Sequence, residues 1–195
     1  MAKLQLGSIV SFPESIPVFS GSALALPEVS PIQASWFAAY TCARHEKSVA
    51  RQLEDRDVDC FLPLYKSWRR WADRRKQIEL ALFPSYVFVH IDSRERLRVL
   101  QLPGVVRLVS FNGSPAALPD SEIEGLRSGL EQGVYAQPHP YLRTGNRVRV
   151  VRGPLSGTSG ILVRKKDKFR FVISIDVLMR SVAVELNTED IVAAA

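Results

Sequence analysis

The alternation of apolar and polar positions changes character twice along this 195-residue chain. Residues 1–34 keep no period and are rich in Ser and Pro (Pro13, Pro17, Pro27, Pro31), which reads as a disordered leader, although Val18, Phe19 and Leu24 could dock on the body. A regular pattern then begins. Trp36–Thr41 reads as a strand and His45–Asp55 as a helix with Val49 and Leu53 spaced i, i+4. Val58–Leu64 is a second strand, Tyr65–Ala81 a basic hairpin turning near Ala72-Asp73, and Ser85–Ile91 a central strand. Ser93–Gln101 fits a short helix with Leu97 and Leu100 inward, stopped by Pro103-Gly104, and Val105–Phe111 is another strand. Ser121-Glu122-Ile123-Glu124 has capping-box form, with Ile123, Leu126 and Leu130 at helical spacing before Gly133.

The central strand is unusual in being apolar on both sides. Side chains alternate, so Tyr86, Phe88 and His90 share one face while Val87, Val89 and Ile91 share the other. Something must cover each face; one cover can be this chain's helices and the second another protein. The order of elements indicates an α+β layer with a mostly antiparallel sheet over residues 35–131. Gln132–Tyr141, with Gly133, Pro138 and Pro140, reads as a linker. Residues 142–195 then change to short strands at Arg147–Val151, Ser159–Val163, Phe169–Ile175, Arg180–Glu185 and Asp190–Val192, the pattern of a small β-barrel.

Composition narrows the classes. Apolar content of 46% and charged content of 24% are ordinary for a globular protein. The net charge of +6 is concentrated in residues 141–195, where ten bases face five acids. That segment suits polyanions, or simply solubility. Cys42 and Cys60 have no metal-ligand spacing, and no metal or cofactor is expected. No apolar run of spanning length occurs, and the N-terminal residues lack signal-peptide form, so a cytoplasmic protein without membrane contact is expected. His45, His90 and His139 match no catalytic or metal-binding spacing, and no nucleophile motif is present, which argues against an enzyme.

The series Trp36–Tyr40, Asp57–Pro63, Leu82–Val89 and Leu102–Val106, followed by Gly145–Val150, Gly153–Gly157, Gly160–Leu162 and Val182–Leu186, resembles the NusG superfamily of transcription elongation factors. The resemblance implies an N-terminal NGN domain and a C-terminal KOW domain, a small SH3-like β-barrel. Asp57–Pro63 and Leu82–Val89 look especially like the specialised antitermination paralogues typified by RfaH. By resemblance, Tyr40, Phe83, Tyr86 and Phe88 occupy the aromatic patch that docks on the clamp helices of the largest catalytic subunit of RNA polymerase; the alternative is that these rings complete a core. The lobe-facing contact would fall near Arg94–Val99, where a plain solvated helix face is the alternative. A monomer is expected. The rival reading is a ribosome- or RNA-binding KOW protein without a polymerase role.

Other constellations bear on nucleic acid. Trp68, Arg69, Arg70, Trp71, Arg74 and Arg75 place guanidinium groups for phosphates and indoles for exposed bases on the hairpin, which in the family lies toward upstream DNA. A solvated turn is the alternative. Gln52 and Arg56, with Arg51 nearby, match the surface of the first helix from which specialised relatives read exposed DNA, a solvated helix face being the alternative. Gly153–Gly160 lacks the Gly-Lys-Ser/Thr ending of a phosphate loop and reads as a turn. Leu155, Val177, Leu178 and Met179 match positions where the family's KOW domain receives a ribosomal protein or a termination factor, or else cap the barrel. Arg164–Lys168 is a solvated hairpin tip, with RNA contact as the alternative.

Overall fold

The computed structural model describes residues 34–70, 74–165, 168–185 and 190–194. The leader expected over residues 1–34 therefore lies, apart from Ala34, outside the described residues. The described residues gather into one compact unit.

Chain order gives β1 (Ser35–Thr41), α1 (Glu46–Glu54), β2 (Cys60–Phe61), β3 (Leu64–Arg70), β4 (Arg75–Ala81) and β5 (Tyr86–Ile91). A 3-10 turn at Ser93–Glu95 leads into α2 (Arg96–Leu100), then β6 (Val105–Leu108), β7 (Ser110–Phe111), β8 (Ser114–Pro115) and α3 (Asp120–Glu131). An antiparallel sheet of order β2-β5-β1-β6 forms the frame, and β3–β4 projects from it as a separate two-stranded ribbon.

The two-faced central strand is covered on both sides by this chain. Val87, Val89 and Ile91 join Phe37 and Ala39 against Val49, Ala50 and Leu53 of α1 and Val99 of α2. On the opposite face Trp36, Ala38 and Phe88 share a second buried cluster with Leu118, Ile123 and Leu126. The cover assigned to another protein is thus supplied largely by α3, which rests on β1.

Several boundaries differ from the pattern for identifiable reasons. Pro63, which has no N–H to donate, ends the strand expected over Val58–Leu64 after Phe61. The Asp92 side chain accepts from the Arg94 N–H at 2.7 Å and caps the 3-10 turn, so α2 starts late. Its phase shifts accordingly: Val99 is buried and Leu97 is 59% exposed, against the expected inward Leu97. The strand expected over Val105–Phe111 breaks at Val109 into β6 and β7, and Asn112 (φ 49°) and Gly113 (φ 81°) form the tight turn that folds β7 back onto β8. The capping box at Ser121 is not used. Pro119 takes the N-cap position, and Glu124 instead accepts from the Trp36 indole Nε1–H at 3.0 Å.

The C-terminal strands are β9 (Ala136–His139), β10 (Asn146–Val150), β11 (Ser159–Lys165), β12 (Lys168–Ile175), β13 (Arg180–Val184) and β14 (Ile191–Ala193). They form a six-stranded antiparallel sheet of order β14-β10-β11-β12-β13-β9, and its ends, β14 and β9, do not pair. The segment read as linker is therefore partly strand, with Ala136–His139 pairing along Ser181–Val184 of β13. Phe171, Ile173, Ile175, Val182 and Val184 fill the inner side. The result is a mixed α and β N-terminal portion followed by a strand-rich module.

The two portions meet across α3. A Cβ on Gly129 would stand 2.6 Å from Leu155 Cδ2, and one on Gly125 would overlap Thr158 Oγ1. Thr158 Oγ1 also donates to the Ser121 carbonyl at 3.4 Å. Only glycine lets the turn before β11 approach the helix this closely.

Candidate functional site

The open end of the N-terminal sheet is built from paired tyrosines. Register places Tyr40 of β1 opposite Tyr86 of β5, and their rings lie 5.4 Å apart, tilted by 55°. Both are half-buried. On the other side of β1, Arg107 pairs with Tyr40 and sets its guanidinium 5.6 Å from that ring's centre, a cation–π geometry. The turn into β5 is fixed by Ser85, a left-handed residue (φ 67°) whose N–H donates to Glu46 Oε1 at 2.7 Å. Exposed Pro84 flanks the pair.

The four expected docking rings do not form one surface. Phe83 and Phe88 are 1% and 0% exposed and meet edge to face at 5.4 Å, with Phe61 stacked on Phe88 at 6.2 Å. They belong to the core that includes Ile123 and Leu126, so in this arrangement the exposed part of the patch is Tyr40 and Tyr86. Around Trp36, His90 stacks at 5.0 Å and the Arg127 guanidinium lies 5.9 Å from the ring. Arg127 also pairs with Asp59 at 3.2 Å, fastening α3 over this half of the sheet. Arg107 was missed by sequence reading, because its role depends on a cross-strand register that sequence does not display.

The basic ribbon is exposed and electrostatically strained. Arg69, Arg70, Arg74 and Arg75 are exposed, and Trp68 is 67% exposed; Trp71 lies outside the described residues. Register sets Arg70 directly opposite Arg75 and Arg69 opposite Lys76. Like charges facing each other across a strand pair are destabilising. A bound polyanion would relieve both pairs.

On α1, Arg51 and Arg56 are exposed. Gln52 is engaged within the chain, donating from Nε2 to the carbonyls of Ser48 at 3.1 Å and Pro103 at 3.3 Å. Among the arginines of 94–99, Arg98 pairs with Glu95 at 3.0 Å and donates to the Arg56 carbonyl at 2.8 Å.

The expected KOW contacts divide as well. Val177 and Met179 are exposed, the latter 66%, on a 3-10 turn closed by left-handed Met179. Leu178 is buried, and Leu155 is fully buried against Gly129 of α3, so Leu155 is not available as seated here. Beside this seat the Glu122 carboxyl is pushed up to about 7, first by burial and then by Asp176.

The Cys60 thiol is pushed up to about 11 by burial, then by Glu54 and Asp59, which keeps it protonated and unreactive near neutrality. No cluster of three or more potential metal ligands occurs among the described residues. None of the described helices is long and apolar enough to cross a membrane.

The NusG family, described as "Transcription termination factor nusG", matches residues 34–127, the segment that holds the β2-β5-β1-β6 sheet. The N-terminal portion of the chain matches the NusG family. A transcription termination/antitermination protein NusG of Rickettsia felis is 22% identical over 83% of this chain and 91% of that protein. The protein of the same name from Helicobacter pylori strain J99 is 23% identical over 77% of this chain and 93% of its own length. A solved structure described as "Domain interaction in Thermotoga maritima NusG" is 20% identical, with a TM-score of 0.49 over 84% of this chain and 98% of that one.

Proposed function

We propose that this chain is a NusG-type elongation factor that binds RNA polymerase through the Tyr40–Tyr86 end of its sheet and modulates pausing and termination. The observation that carries the reading is the half-buried aromatic pair, held by cross-strand register and flanked by Pro84 and Arg107, at the end of the sheet. A few aromatic anchors can dominate such an interface, at over ~2 kcal/mol each. Binding one polymerase conformer better than another would shift the enzyme toward the conformer bound.

The ribbon of Trp68, Arg69, Arg70, Arg74 and Arg75 then contacts DNA of the elongation complex, with Arg51 and Arg56 as a second basic edge. Trp71 continues the same motif by sequence. Phe83 and Phe88 support the rim from beneath. Val177 and Met179 offer a contact to a ribosomal protein or termination factor, which Leu155 would join once off α3. The sequence features of the specialised paralogues favour an operon-specific antiterminator over a housekeeping role.

The test is retention of core RNA polymerase by the immobilised chain, comparing wild type with Tyr40→Ala/Tyr86→Ala. Loss of retention in a variant that melts like wild type supports the proposal, and pause lifetimes and terminator readthrough on purified polymerase then measure its consequence. Unchanged retention, or RNA binding that ignores the tyrosines and needs no polymerase, would favour a KOW-type RNA-binding protein.

A further inference from the structure

A cleft of about 500 Å³ lies between the β3–β4 ribbon and the segment that follows α3. Its walls carry Trp68 and Tyr65 on β3, Lys66 and Gln77 beside them, and Tyr135 with Leu130 opposite. Trp68 and Tyr135 are 67% and 49% exposed, and among the described residues no other aromatic ring stacks on either. Exposed large aromatics on opposite walls of one cleft leave apolar area in water, which a ligand can remove.

We infer that this cleft receives one unpaired base of a single-stranded nucleic acid, stacked on Trp68 and in contact with Tyr135, while the ribbon's cations follow the adjoining phosphates. Three observations point to that occupant. The cleft falls within the ~300–1,000 Å³ range of small-ligand sites, room enough for a flat heterocycle. Lys66 and Gln77 lie on its walls, and Arg69, Arg70, Arg74, Arg75 and Lys76 continue along the same ribbon, so charge favours a polyanion over a neutral peptide. Glu79, the acid on β4, is already paired with Lys47 at 3.5 Å. Tyr135 is also held in place. Its carbonyl accepts from the Glu185 N–H at 3.3 Å and its hydroxyl accepts from Gln137 Nε2.

The inference deepens the nucleic-acid part of the proposed function but needs no polymerase, so naked oligonucleotides test it separately. The measurement is fluorescence anisotropy of the full chain with labelled dT12, rU12, a 12-base-pair DNA duplex and a proline-rich peptide. Stacking is worth ~1–3 kcal/mol per base, so Trp68→Ala and Tyr135→Ala should each weaken dT12 binding by about 5- to 150-fold. Neither removes a phosphate contact, so the slope of log affinity against log salt should stay fixed, whereas Lys66→Gln should flatten it by about 0.7. Trp68→Phe should restore most of the affinity, and duplex binding should change less than twofold. The rU12 arm separates RNA from DNA as the source of the strand. Both aromatics are exposed, and should Tyr135→Ala melt early, the Trp68 variants decide alone. Oligonucleotide affinity within twofold of wild type in Trp68→Ala, equal losses on the duplex, or Trp68-dependent binding of the peptide alone would overturn the inference. Loss of polymerase retention in Tyr40→Ala/Tyr86→Ala with dT12 binding intact leaves this inference standing, and the reverse pattern leaves the polymerase reading standing.

Discussion

Replacing Gly129 by alanine should separate the C-terminal sheet from α3 while strengthening the helix itself. At an unconstrained helix position the change gains about 1 kcal/mol, because glycine is a poor helix former. Here the new Cβ would stand 2.6 Å from Leu155 Cδ2 and 3.1 Å from its Cγ. Leu155 is fully buried, so its side chain has no solvent-facing rotamer into which to retreat. Overpacking of this kind costs about 1–3 kcal/mol. The helix-propensity gain is present whether or not the sheet is seated, so it cancels from the seating equilibrium. The clash does not cancel, and seating should weaken by about 5- to 150-fold. Hydrogen exchange read by mass spectrometry should show faster exchange at 153–158 and unchanged or slower exchange within α3. Denaturation should split into two steps, with the C-terminal sheet released first. If Gly129→Ala simply melts higher, with exchange at 153–158 unaltered, the close approach of Leu155 to α3 is refuted.

Other perturbations test other parts. Phe88→Ala should destabilise the fold by about 3–5 kcal/mol, as expected for a fully buried ring, whereas Tyr86→Ala should cost far less and act on polymerase retention; chemical denaturation distinguishes them. Glu122 has a folded value raised from the ordinary 4.5 to about 7, so the fold holds an extra proton between these values and loses stability as pH rises through that window. Glu122→Gln, always neutral, should therefore match wild type in melting temperature near pH 4, exceed it increasingly up to about pH 7, and keep a constant margin above that. Arg70→Gln removes a like-charge pair with Arg75, so it should raise stability by roughly 0.2–1 kcal/mol while flattening the salt dependence of DNA binding by about 0.9 on duplex.

Much of this architecture is legible from local periodicity, and the exceptions have local or topological causes. The two apolar faces of Tyr86–Ile91 follow from alternation alone, and α1 follows from Val49 and Leu53. The spacing of Ile123, Leu126 and Leu130 announces a helix with one apolar side, yet nothing local says that it returns over β1 and encloses Phe88. That non-local placement divides the aromatic row into a core half and a rim half. Asn112-Gly113 is a strong hairpin signal that the strand reading of Val105–Phe111 overrides. Pro138 argues for a linker, but β9 is an edge strand, where proline is tolerated. Gly125 and Gly129 inside a helical run are the readable trace of close packing, since glycine there weakens the helix unless a neighbour needs the space.

The placement of α3 has a consequence for how the two portions influence each other. At 3.6 residues per turn, Ile123, Leu126 and Leu130 fall on one side of the helix, and Ser121, Gly125 and Gly129 fall roughly opposite. The first side enters the cluster of Phe83 and Phe88, and the second meets Leu155 and Thr158. The helix is thus a wall between the sheet and the C-terminal module. Lifting the module would uncover Leu155 and the glycine-bearing side of α3, and Ile123 and Leu126 would stay on the rings. Tyr40 and Tyr86 are partly exposed already with the module seated. Seating should therefore govern what Leu155 can contact and leave the aromatic rim in working order. Polymerase retention should accordingly be equal in wild type and Gly129→Ala, both lost on adding Tyr86→Ala; a marked gain in Gly129→Ala alone would mean that the module shields the rim.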